Sequence, residues 1–126
     1  MADNILKDKS YVFALEIIKT YRDLTIGKKE YVLSKQLLRS GTSIGANIEE
    51  SVGGQSEKDF YSKLSIAYKE ARESNYWIRL LRDSNLLENN ESEKLINYCD
   101  EIIRIIGKIQ STLRQKGIFL KVNIED

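Results

Sequence analysis

Two nearly unbroken series of apolar positions, stepping alternately by four and three, run through the second half of the chain. One comprises Phe60, Leu64, Ala67, Ala71, Ser74, Ile78 and Leu81, and the other Leu95, Cys99, Ile102, Ile106, Ile109 and Leu113. A side chain every 3.5 residues keeps one face of a helix turned toward a partner, so each series predicts a long helix packed lengthwise against others. Earlier in the chain, Ala14, Ile17, Ile18, Tyr21 and Leu24 form one stripe, flanked by Phe13 and Leu15, and Leu33, Leu37, Ile44 and Ile48 form another. The pattern predicts helices over about residues 10–26, 32–52, 56–84 and 91–116, with Ser10 and Ser56 as N-caps and Gly53-Gly54 closing the second. The third would be roughly 43 Å long at the helical rise. Short connections make consecutive helices antiparallel neighbours, so the expected fold is all-α, an up-down-up-down four-helix bundle in a single domain over residues 1–126. The segment that follows, residues 117–126, opens Gly117-Ile118-Phe119-Leu120-Lys121-Val122 and is too apolar for a free end. It is expected to dock on its own bundle or on a neighbouring subunit.

Composition agrees with a bundle. Proline is absent and only 7 glycines occur in 126 residues, so few positions force a helix to stop. The 20 basic and 19 acidic residues leave a formal charge of +1, which does not advertise a nucleic-acid binder. The single Cys99 lies in a seam, excludes an internal disulfide and suits a reducing compartment. The first nine residues contain two aspartates and no signal-like apolar run, and no stretch approaches the roughly 18 apolar residues of a membrane span, so a cytoplasmic protein without membrane contact is expected.

Little in the chain announces chemistry. Histidine is absent, which removes the commonest general base and metal ligand, and no Ser/His or Cys/His pair is possible. The acidic pairs Glu49-Glu50, Glu70 with Glu73, and Asp100-Glu101 lack the Glu-x-x-His partners of carboxylate-bridged metal bundles. No catalytic, cofactor or metal residue is assigned, and no enzyme is expected. Gly41 and Gly45, one turn apart, let another helix come close or, alternatively, line a ligand site. Gln36, Ser40, Ser43, Asn47 and Glu50 make a polar strip beside the core stripe of the second helix. Such groups need partners, and Glu70 and Glu73 across the bundle offer them; the strip reads as a structural network of Ser43, Asn47, Glu50, Glu70 and Glu73, or as a ligand or subunit contact.

Charge is unevenly distributed. From Ile102 to Ile124 there are five basic residues and no acidic one. They complement a helix C-terminus, or, with Arg104 and Lys108 one turn apart, form a basic strip for phosphates. Lys58, Lys63, Lys69, Arg72, Arg79 and Arg82 are interspersed with acids and read as a mixed surface rather than a patch.

The run Leu37-Leu38-Arg39-Ser40-Gly41-Thr42-Ser43-Ile44-Gly45-Ala46-Asn47-Ile48-Glu49-Glu50, followed by Ser56, Phe60, Leu64, Ile66-Ala67, Glu70-Ala71, Glu73 and Tyr76-Trp77, resembles the four-helix-bundle family of 23S ribosomal RNA intervening-sequence proteins. The resemblance covers about Tyr11 to Leu113. It implies a bacterial cytoplasmic protein that assembles as a homopentamer, and a likeness to accessory proteins of diversity-generating retroelements, which partner a reverse transcriptase and nucleic acid. Ser43, Asn47 and Glu50 match the family's polar positions and Arg39 a commonly basic one. Gly54 and Gln55 stand where many relatives carry arginine or lysine, which weakens a nucleic-acid claim. The resulting expectation is a non-enzymatic oligomer, an accessory to RNA, DNA or a nucleic-acid enzyme, with Arg39, Arg104, Lys108 and Arg114 as phosphate contacts. The competing expectation is a protein-interaction scaffold with no nucleic-acid affinity.

Overall fold

The computed structural model describes the backbone of residues 2–54 and 56–117 and the side chains from Ile5 onward. It contains four long helices: α1 (Ala2–Arg22), α2 (Leu33–Val52), α3 (Glu57–Asp83) and α4 (Asn89–Gln115), with one wider π-helical turn, Asp23–Gly27, continuing α1. Each helix packs along the next, and α4 returns to α1, so the four stand at the corners of a square. Cross-helix pairs give the direction: Lys7 with Glu49, Glu50 with Lys63, Asn75 with Asp100 and Lys9 with Glu101 all join antiparallel neighbours. Among the described residues there is no strand. The apolar segment from Ile118 onward lies outside the described residues.

The core follows the 3.5-residue period. Leu64, Ala67, Ala71, Ser74, Ile78 and Leu81 of α3 are buried, as are Leu95, Cys99, Ile102, Ile106 and Leu113 of α4. They meet Leu6, Phe13, Ile17 and Leu24 of α1 and Leu37, Ile44 and Ile48 of α2. Each large aliphatic side chain so buried contributes about 1.5–3 kcal/mol, more than any surface ion pair, so these rows hold the bundle together.

Three details differ from the expectations. α1 begins at Ala2 rather than near Ser10, because Leu6 and Ser10 extend its buried row by two more steps of four and three. Ser10 is therefore an interior residue whose hydroxyl donates to the Lys7 carbonyl at 3.1 Å, not a cap. On the same helix Phe13 is at the centre of the core while Leu15 is exposed. On α4 the buried row passes through Gln110 in place of Ile109, because Gln110 has partners across the bundle: its Nε2 donates to Ser65 Oγ at 2.8 Å. Ser56 caps α3 as its sequence context indicates, its Oγ accepting the Asp59 N–H at 3.0 Å.

The α1–α2 connection is stabilised by a carboxylate. Glu30 accepts N–H bonds from Val32, Leu33 and Ser34 at 2.7–3.1 Å, covering the free donors of the first turn of α2. Partial burial pushes the Glu30 carboxyl up, but these three bonds and the Ser34 hydroxyl together bring it below the ordinary glutamate value. α2 then approaches α1 closely: a Cβ at Gly41 would meet Ile17 side-chain atoms at 2.9 Å, whereas one at Gly45 would reach the Ser10 carbonyl at an ordinary 3.5 Å.

Gly41→Ala gains about 1 kcal/mol of helix propensity but forces the buried Ile17 to move, a penalty of about 1–3 kcal/mol, so urea denaturation is expected to show a net loss. Gly107→Ala on α4, where an added Cβ meets nothing within 4 Å, is expected to gain up to about 1 kcal/mol. Glu30→Ala should cost about 1 kcal/mol at pH 7. Because the folded-state carboxyl is depressed, that contribution is present above the unfolded value of 4.5 and disappears as pH falls through the lower folded value. Wild type and variant should therefore converge in stability as pH falls through that lowered folded value.

Candidate functional site

α3 presents two flanks on either side of its buried row, and they differ in chemistry. The flank toward α2 carries the acids. Arg39 of α2 reaches across with Nη1 at 3.4 Å from both Glu70 carboxylate oxygens, and with Nη2 against Glu73. Glu73 also accepts the Trp77 indole N–H at 3.0 Å. Beneath this clamp the Ser74 hydroxyl donates to Ser40 Oγ at 2.8 Å, joining the two helices inside the core. One turn beyond the α2 C-terminal region, Lys63 donates to Glu50 at 2.8 Å; that hydrogen bond first, and the Glu50 charge second, raise the lysine above its ordinary value.

The expected polar network is thus divided. Glu50, Glu70 and Glu73 do bridge α2 and α3, but through Lys63 and Arg39. Ser43 and Asn47 spend their hydrogen bonds within α2, Ser43 Oγ donating to the Arg39 carbonyl at 2.7 Å and Asn47 Nδ2 to the Ser43 carbonyl at 2.8 Å. A side chain at i that reaches the i−4 carbonyl needs no partner across the bundle.

The flank of α3 toward α4 carries tyrosines and arginines. Arg114 Nη1 donates to Tyr61 Oη at 2.7 Å, Gln110 bonds Ser65, and Asn75 Nδ2 donates to Asp100 Oδ1 at 3.5 Å. The Arg72 guanidinium lies 5.9 Å from the Tyr68 ring centroid and that of Arg79 5.8 Å from the Tyr76 centroid, both within cation–π range. Arg72, Asn75, Arg79, Asp100 and Ile103 line a groove of about 240 Å³ between the two helices. Arg104 and Lys108 are exposed on α4, and among the described residues neither has an ion pair or side-chain hydrogen bond.

The four arginines and lysines expected to contact phosphate therefore do not share one face. Arg104, Lys108 and Arg114 stand on α4, whereas Arg39 sits at the α2–α3 flank with two carboxylates against it. Conversely, Arg72 and Arg79, set aside as part of a mixed surface, stand across the buried row from Glu70 and Glu73, with Asp83 the acid of their own helix within reach of Arg79. The signal for this was in the helical phase: Glu70 and Glu73 fall to one side of the buried row, and Tyr61, Tyr68, Arg72 and Arg79 to the other. Cys99 is fully buried, and burial above all, with Asp100 adding to it, pushes its thiol far up, away from reactivity. No group of three or more Cys, Asp or Glu among the described residues is arranged to hold a metal ion, and no described helix is long and apolar enough to cross a membrane.

The family described as 23S rRNA-intervening sequence protein matches residues 2–108, spanning the bundle from α1 through the basic strip of α4. The chain belongs to that family. A crystal structure of a protein with unknown function from the S23 ribosomal protein family of Bacteroides thetaiotaomicron is 46% identical and superposes with a TM-score of 0.87, covering 88% of this chain and 99% of the relative. No curated protein matches the chain. The matched span includes the run from Leu37 to Glu50, and the geometry gives part of it a physical role: Gly41 against α1, Ser40 and Arg39 against α3.

Arg39→Ala is expected to cost about 1 kcal/mol, since it leaves the mostly covered Glu70 and its neighbour Glu73 without a cation. Thermal unfolding at low and high salt checks this. The loss should shrink as salt screens the exposed part of the pair, and a variant as stable as wild type at low salt would show that the clamp contributes nothing.

Proposed function

We propose that this family member is a non-enzymatic, homo-oligomeric accessory to nucleic acid or to a ribonucleoprotein, acting in the cytoplasm. The observation that carries the reading is the charge on α4: Arg104 and Lys108 are exposed without a carboxylate partner, Arg114 follows on the same helix, and no acidic residue lies between Ile102 and Gly117. Family membership supports it, since the family's name ties it to intervening sequences of 23S rRNA. A formal charge of +1 makes the binding local rather than global: what matters is where cations stand free of acids, not the total.

Self-association, with a pentamer as the expected state, has its own support. Ile5, Tyr11, Val12 and Leu15 of α1 are each 41–67% exposed, and α1 spends apolar surface on its outer side that one bundle does not cover. Copies of the chain would cover it and bring several α4 strips into one assembly, multiplying weak phosphate contacts. Light scattering at micromolar concentration is expected to give an oligomer, and a monomer would remove this part of the reading.

Binding of a labelled oligonucleotide across a salt series tests the role itself. With Arg104, Lys108 and Arg114 each neutralising one phosphate, log affinity for a single strand should fall against log salt with a slope of about −2 per protomer engaged, using roughly −0.7 per contact. Absence of binding at low salt would eliminate the nucleic-acid role and leave a protein-interaction scaffold.

A further inference from the structure

We infer that the groove between α3 and α4 is the nucleic-acid surface, and that it takes a single strand, with phosphates on Arg72, Arg79 and Arg104 and bases stacked beside Tyr76. The inference rests on the proposed nucleic-acid role and gives it a place and a strand preference.

Register brings these side chains together. The Tyr61–Arg114, Ser65–Gln110 and Asn75–Asp100 bonds step in one constant antiparallel register, which sets Arg72 level with Ile103 and Arg104, and Tyr68 level with Gly107 and Lys108. The joint lining of the groove by Arg72 and Ile103 agrees with that register. Arg104 thus stands level with Arg72 on the outer side of the seam, whereas Lys108, one heptad from the Glu101 that bonds Lys9, lies on the α1 flank of α4. Arg72 and Arg79 are seven residues apart, about 10.5 Å along the helix axis, so they present charge as a line rather than a point.

The acids that would cancel this charge are held elsewhere. Glu70 and Glu73 lie on the opposite flank against Arg39, and Asp83, one turn from Arg79 and within reach of its charge, is held by Arg82 at 2.8 Å. Asp100 is the one carboxylate in the groove lining, and it accepts from Asn75. Glu93 is exposed farther toward the α4 N-terminus.

The aromatic groups decide what kind of nucleic acid fits. Arg79 lies over the Tyr76 ring, which is 47% exposed and packs at 67° to Trp77 with centroids 5.1 Å apart. Arg72 is likewise placed over Tyr68. Flat guanidinium and phenol surfaces held at the edge of a cationic groove are stacking platforms, and only a strand with unpaired bases can use them. A duplex keeps its base faces stacked inside and offers phosphates, sugars and groove edges instead.

Fluorescence anisotropy with a labelled single-stranded oligouridylate, and with an RNA duplex of equal length, tests this on the full chain. Arg72→Gln/Arg79→Gln is expected to weaken single-strand binding at least tenfold at low salt and to reduce the salt slope by about 1.4 per protomer engaged, two contacts at roughly 0.7 each. Tyr76→Ala should weaken it about fivefold or more with the salt slope unchanged, which a purely electrostatic surface would not show. Lys35→Gln, on the exposed side of α2, should bind as wild type does. Arg72, Arg79 and Tyr76 are all exposed, so the variants are expected to fold, and their helical circular dichroism and melting temperatures report whether they do. Wild-type affinity in both groove variants would overturn this surface while leaving the nucleic-acid role intact. Equal or tighter binding of the duplex would overturn the strand preference, and no binding by the wild-type protein would remove the role and the surface together.

Discussion

The constraint on which the rest depends is the 3.5-residue period of α3 and α4. Two helices that keep one row of side chains against each other for about five turns can turn only that row inward, and every other position is assigned to a flank or to the outside. On α3 the row is Leu64, Ala67, Ala71, Ser74, Ile78 and Leu81. Once it is buried, Glu70, Glu73 and Trp77 must face α2, and Tyr61, Tyr68, Arg72 and Arg79 must face α4. Apolar packing therefore sorts the charges, and a chain that is nearly neutral in total acquires one flank of clamped acids and one of cations with aromatic rings.

The polar contacts add register to what burial supplies in energy. A surface pair such as Lys94 with Glu16 contributes little in water, at most about 1 kcal/mol. Gln110 is different, because its amide lies inside the bundle and both its partners, Ser65 Oγ and the Tyr61 carbonyl, are on α3, so a slip of one turn would leave it without them. Among the described residues no buried side-chain polar atom lacks a hydrogen bond, so the helices have one alignment in which all are satisfied. Gly41 acts in the same direction from the other side, since only the backbone of a glycine lets α2 settle against Ile17.

Much of this was legible in the amino-acid order. The two seams named the rows of α3 and α4 almost residue for residue, Ser56 announced the start of α3, and Gly41 and Gly45 announced a close helix pair. The misreadings have a common source: a polar side chain was judged by its type and not by where its hydrogen bond goes. Ser10 resembles a cap, yet it bonds backward to Lys7 and lies within the core. Ile109 resembles a seam residue, yet Gln110 takes the buried place because Ser65 receives its amide. Glu30 lies three residues before α2 in what reads as loop, and only the folded backbone turns its carboxylate onto three N–H groups. Arg39 looked free for phosphate because its partners are more than thirty residues away. Charges on α3 counted together give a mixed surface, whereas the same charges resolved by helical phase give two surfaces.

Burial of the α3 and α4 rows leaves Arg72, Arg79 and the tyrosines beside them on the α4 flank of α3, the surface we propose for nucleic acid. Photo-cross-linking of a 4-thiouridine-substituted single strand, followed by mass spectrometry of the joined peptides, tests it most directly. Cross-links confined to α3 between Tyr68 and Arg79 and to α4 around Ile103 and Arg104 are the predicted result. Cross-links concentrated on α1 or on the Arg39 flank of α2 would contradict it.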